Sequence, residues 1–80
     1  MACIVSFLRA RIHEDETRAV RGTTGGPWSP QRVLAECRAK RLLLTALEGG
    51  QADERMSRML RAMALPYSAH PEFEREWLPG

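Results

Sequence analysis

An all-α fold is what this sequence predicts, and three observations predict it. Apolar side chains recur at helical spacing over three long stretches, glycine or proline bounds each stretch, and no run alternates as a half-buried strand does. The expected architecture is a small antiparallel three-helix bundle with a short C-terminal fourth helix, in a single domain over residues 1–80.

The first helix is expected over about residues 2–21. Ile4, Leu8 and Ile12 recur four residues apart beside Val5 and Phe7, with Ala19 further on, which makes one apolar stripe. Gly22 ends the helix, and Arg18 and Arg21 lie in the last turn, where the helix dipole favours cations. Residues 22–29 read as a loop. Ser29-Pro30 then supplies an N-cap hydroxyl and a proline suited to the first helical position, so a second helix should span 30–48 and close at Gly49-Gly50. Its face carries Val33, Cys37, Leu44 and Leu47, while Leu42 and Ala46 point nearly the opposite way. Such a helix is either central in the bundle or bears a second contact surface. A third helix is expected over 52–64, with Ala52, Met56, Met59, Leu60 and Met63 as its stripe and Leu65-Pro66 as its end. The fourth is expected over 71–77, opened by Pro71, with Phe73 and Trp77 meeting four residues apart. Trp77 should be buried against the bundle, with the tail glutamates near basic side chains of the second or third helix.

Composition narrows function without naming it. The longest apolar run, Met1 to Leu8, is far short of the ~20 residues that span a bilayer. Arg9 and Arg11 follow that run and no basic residue precedes it, unlike a secretory leader. Two cysteines, at 3 and 37, lack metal-type spacing and favour free thiols. A cytoplasmic protein is therefore expected. The net charge of +2 is too small to imply a polyanion partner, although the middle of the chain is mildly basic and the last 15 residues carry one cation and three anions.

No constellation points to catalysis, so no enzyme and no cofactor are expected. His13-Glu14-Asp15-Glu16 places His13 and Glu16 three apart on a helix, but the second histidine of a zinc helix is missing, so no metal site is assigned. His13, Glu16 and His70 are the weak metal candidates, and a solvated acidic helix face is the better reading. Cys3 and Cys37 fall on or near apolar stripes, where a thiol behaves as a small hydrophobe. Met56, Met59 and Met63 read as core before they read as a binding groove.

Two functional readings come from different classes. The leading one is a non-catalytic protein-interaction or regulatory module that binds another protein or itself as a homodimer, with Trp28, Leu42, Tyr67, Phe73 and Trp77 as contact candidates. The alternative is weak nucleic-acid binding through Arg38, Lys40 and Arg41 of the second helix and Arg55, Arg58 and Arg61 of the third. Those six cations should then form one exposed stripe.

Three stretches also resemble a known family: FLRARIHEDE at 7–16, SPQRVLAECRAKR at 29–41 and MLRAMALPYSAHPEFEREW at 59–77. They are similar to a family of small uncharacterised proteins of Streptomyces, other actinobacteria and their phages, a domain of unknown function. The resemblance covers roughly half of the chain in order, and eleven arginines among twelve cations fit such a genome. Fuller family members are longer after the GPW of 26–28 and again before the ALPY stretch, and their insertions often carry extra His and Cys residues. This chain passes from Trp28 straight into Ser29-Pro30 and has only Gly49-Gly50 at the second place, so no metal role is carried over.

Overall fold

The computed structural model describes residues 3–22 and 29–78. Three helices, α1 (Ile4–Arg21), α2 (Pro30–Glu48) and α3 (Glu54–Ala64), are followed by two 3₁₀ turns, Leu65–Tyr67 and Arg75–Trp77. Among the described residues there is no strand.

The helix ends follow from local chemistry. Gly22 closes α1 in the left-handed region at φ 70°, where a residue without a Cβ carries no penalty, and its N–H bonds back to the last carbonyls. Ser29 Oγ accepts from the Arg32 N–H at 3.2 Å and Pro30 takes the first position, as expected for α2. The start of α3 is a small correction. Asp53 Oδ1 accepts from the Met56 N–H at 2.9 Å, which holds Asp53 in extended backbone and moves the first helical residue to Glu54.

The expected fourth helix is corrected to a single 3₁₀ turn. His70 N–H bonds to the Tyr67 carbonyl and Phe73 N–H to the His70 carbonyl, so successive tight turns use the donors a helix would need. Glu74 is then extended (ψ 134°) and only Arg75–Trp77 coil. Seven residues are too few to sustain a helix unless packing favours it, and here packing favours a folded-back tail.

α1 packs most extensively on α2 and next on α3, whereas α2 and α3 touch less. Arg9 pairs with Glu48 near the start of α1, and Glu16 pairs with Arg41 further along, so α1 and α2 run antiparallel. The core holds Leu8, Ile12, Cys37, Leu44, Leu60 and Ala64, joined by Phe7 and Trp77. Burying a large side chain of this kind contributes about 1.5–3 kcal/mol. α1 is therefore the central helix, and the second apolar side of α2 is exposed. Among the described residues no helix is long and apolar enough to cross a membrane.

Candidate functional site

Two features of the folded chain stand out: a clamp that ties the tail to α1, and the uncovered side of α2. The clamp begins with periodicity. Phe7, Arg11 and Asp15 are four residues apart, so they form one row along α1 inside its apolar arc. Phe7 receives four rings from the C-terminal segment: Tyr67 at 6.3 Å, His70 at 5.6 Å, Phe73 at 6.0 Å and Trp77 at 5.0 Å between centroids. Phe73 and Trp77 also meet edge to face at 5.4 Å. Edge-to-face and tilted pairs of this sort each add about 0.5–1.5 kcal/mol beyond burial.

Arg11 is the one charged side chain buried among the described residues, at 8% exposure. Its guanidinium carbon lies 5.1 Å from the Phe7 centroid, and Nη1 donates to His70 Nδ1 at 2.8 Å and to Glu72 Oε2 at 3.1 Å. His70 Nε2 is also in close contact with Nη1. Arg11 Nε sits 2.8 Å from Glu14 Oε1, but the N–H is not aimed for a hydrogen bond, so that contact is ionic only. His70 Nδ1 accepts the Glu72 N–H at 3.0 Å as well, which fixes the turn. Glu72 thus finds its cation on α1, not on the second or third helix as expected.

The next residue of the row, Asp15, meets Tyr67 of the C-terminal segment. The Tyr67 hydroxyl donates to Asp15 Oδ2 at 2.9 Å and accepts from Lys40 Nζ at 2.9 Å, with the ammonium 5.0 Å from the ring centroid. Burial, followed by the Asp15 hydrogen bond and charge, pushes the Tyr67 phenol well above its ordinary value. Beside it, Arg41 donates twice to Glu16, at 2.9 and 2.6 Å. That fork lowers the Glu16 pKa more than burial raises it, and holds the guanidinium charged. The acidic segment of α1 is therefore not a solvated face. Asp15 and Glu16 are half-buried and face partners 52 and 25 residues away.

Burial, reinforced by the Asp15 and Glu16 charges, pushes the Cys37 thiol up, and its Sγ faces the Ile12 carbonyl at 3.8 Å. Cys3, the other free thiol, is exposed at the N-cap of α1. His13 and Glu16 line a shallow groove with Thr17, Val20 and Arg21, whereas His70 lies under Arg11. Among the described residues no three His, Cys, Asp or Glu side chains come together to hold a metal ion.

The six cations singled out for nucleic acid are not brought onto one face. Lys40 and Arg41 turn to Tyr67 and Glu16, Arg58 pairs with Glu54 at 3.5 Å, and Arg61 lines a small cleft with Glu76 and Trp77. Arg38 and Arg55 are exposed. The contact candidates divide as well. Trp77 is buried, Tyr67 and Phe73 are half-buried in the clamp, Leu42 is exposed, and Trp28 lies outside the described residues. Leu42 stands in an exposed row on α2 with Ala35, Ala39, Leu43 and Ala46, opposite buried Cys37 and Leu44. Sequence reasoning missed Arg11, although its place between Phe7 and Asp15 within the apolar arc was a usable signal.

A family match runs over residues 1–79, nearly the whole chain. The chain belongs to DUF6221, a family of unknown function. No curated protein and no solved structure matches it. The three stretches that carry the family resemblance all lie within the region shared with DUF6221, and two of them supply both sides of the clamp: Phe7, Arg11 and Asp15 from one, Tyr67 to Trp77 from the other.

Proposed function

We propose that this chain is a non-catalytic protein-interaction module whose contact surface is the outer side of α2. One observation carries the reading: Leu42 and Leu43 are 63% and 53% exposed in an apolar row that no other described part of the bundle covers. Keeping large apolar groups in water is unfavourable, and contiguous exposed apolar surface is what interaction sites are made of. The clamp serves this reading as support. It gathers Phe73 and Trp77 around Phe7 on α1, away from the exposed row of α2. A regulatory role in the cytoplasm of an actinobacterium or its phage is the setting we attach to it, in keeping with the free thiols and the arginine-rich cation set.

The test is photo-crosslinking in living cells with a photoreactive phenylalanine at Leu42, at Leu43, or at Val20 of α1, which is 77% exposed and off the proposed surface. Discrete adducts are expected from 42 and 43 and not from 20. Adducts from 20 alone, or from none of the three, would overturn the proposal.

A further inference from the structure

We infer that the cleft between the start of α1, α3 and the Arg75–Trp77 turn binds a free α-amino acid with an apolar side chain, held as its zwitterion. No α2 residue lines this cleft, so the inference stands apart from the contact surface proposed above.

The lining sets the chemistry. Ile4, Leu60 and Trp77 form the apolar wall, and Ser57, Arg61 and Glu76 form the polar one. The volume is about 230 Å³, below the ~300–1,000 Å³ of drug-sized sites, so the occupant is small.

Three polar groups in this cleft have no partner in the fold. Arg61 and Glu76 carry opposite charges and line the same space, yet neither makes an ion pair or a hydrogen bond among the described residues. Elsewhere in the bundle such charges find each other, as Arg9 does with Glu48, Arg41 with Glu16 and Arg58 with Glu54. The third group is the Trp77 indole N–H. Trp77 is 7% exposed, and among the described residues its N–H meets no acceptor. A tryptophan buried to that degree ordinarily places its N–H on a partner.

A ligand with an anion and a cation close together satisfies both rim charges at once, and a singly charged one leaves the other unmatched. A carboxylate matches the planar fork of Arg61 and has lone pairs to spare for the indole N–H. An ammonium donates to Glu76. A free amino acid carries both groups on one carbon, and its apolar side chain goes to Ile4 and Leu60. The start of α1 favours the anion further. Cys3 gives no side-chain cap and the first turn holds no acidic residue, so the positive end of the helix dipole is uncompensated there. Glu76 is exposed and Arg61 half-buried, so water screens both contacts and the affinity is weak.

Nuclear magnetic resonance titration of the isotope-labelled chain with L-leucine tests this at the tryptophan indole signals, with Trp28→Phe assigning that of Trp77. The Trp77 signal should move and saturate, with a midpoint on the order of 1 mM. Leucinamide lacks the carboxylate and N-acetylleucine lacks the ammonium, and each should bind about tenfold more weakly. Arg61→Gln should lower L-leucine to the affinity of leucinamide, and Glu76→Gln should lower it to that of N-acetylleucine, with circular dichroism confirming that both variants fold. The ranking of the three ligands is measured on the parent chain and does not depend on either variant. A Trp77 signal that does not saturate, three ligands that bind alike, or folded variants that keep the parent's ranking would overturn the inference.

Discussion

Arg11 and His70, 59 residues apart in sequence, meet under the C-terminal turn with Nη1 2.8 Å from Nδ1. The contact explains how a polar segment without a helix of its own stays on the bundle. Phe7 and Trp77 supply the apolar attraction, and Arg11 orients what they hold by satisfying His70 and Glu72 together.

Removing that guanidinium should therefore cost stability. Arg11→Ala is expected to lose about 2–3 kcal/mol, less than the 3–5 typical of fully buried pairs, because Glu14 and Glu72 remain 44% and 68% exposed. Arg11→Met keeps the volume over Phe7 and should lose less than Arg11→Ala. Urea unfolding of the two variants checks the order, and an equal loss would mean that the hydrogen bonds, not the packing, dominate.

Stability should fall at both ends of the pH range for separate reasons. Glu16 has a lowered pKa in the folded chain, so its contribution is complete above the unfolded carboxylate value and is lost as pH falls through the folded one. The pair is partly exposed, so the loss is at most about 1 kcal/mol, and Glu16→Gln should flatten it. Tyr67 has a raised pKa. Its contribution is complete below the ordinary phenol value of about 10 and declines as pH rises beyond it, because the unfolded chain ionises first. Absorbance titration of the phenolate, together with unfolding curves of Tyr67→Phe, checks the alkaline side.

The two thiols should behave oppositely. Cys37 is 1% exposed with its thiol pushed up, whereas Cys3 is exposed. A thiol-reactive dye at neutral pH should titrate one group per native chain and two in denaturant. Cys3→Ser should leave native protein nearly unreactive.

Much of the fold was legible, and what was not has a physical pattern. Helix ends written in short-range chemistry, such as Ser29-Pro30 and Gly22, could be read directly. Asp53 carries the same kind of signal, an N-cap carboxylate one residue past the apolar Ala52. Trp77 was expected to be buried and is. The helix drawn through Phe73 and Trp77 was wrong because two aromatics four apart can also meet across a chain of tight turns. The partners of Asp15, Glu16 and Arg11 were illegible, since they come from segments 25 to 61 residues away. Periodicity assigns a face to a helix, but it does not say which charges on that face will find each other. The exposed side of α2 was visible as a second apolar side, and only the fold decided that α1, not α2, is central.

Residues that build the bundle are distinct from the exposed row of α2 proposed as the contact surface, and melting temperatures of two variants test that division most directly. Measured at low protein concentration, Trp77→Ala should lower the midpoint by at least about 10 °C, since a core tryptophan truncation costs about 3–5 kcal/mol and each kcal/mol shifts a domain of this size by about 4–8 °C. Leu42→Arg, on an exposed helical position, should leave the midpoint within about 3 °C of the parent, because surface changes stay near ±0.5 kcal/mol. A Trp77→Ala chain that melts like the parent, or a Leu42→Arg chain that unfolds as early as the tryptophan variant should, would contradict it.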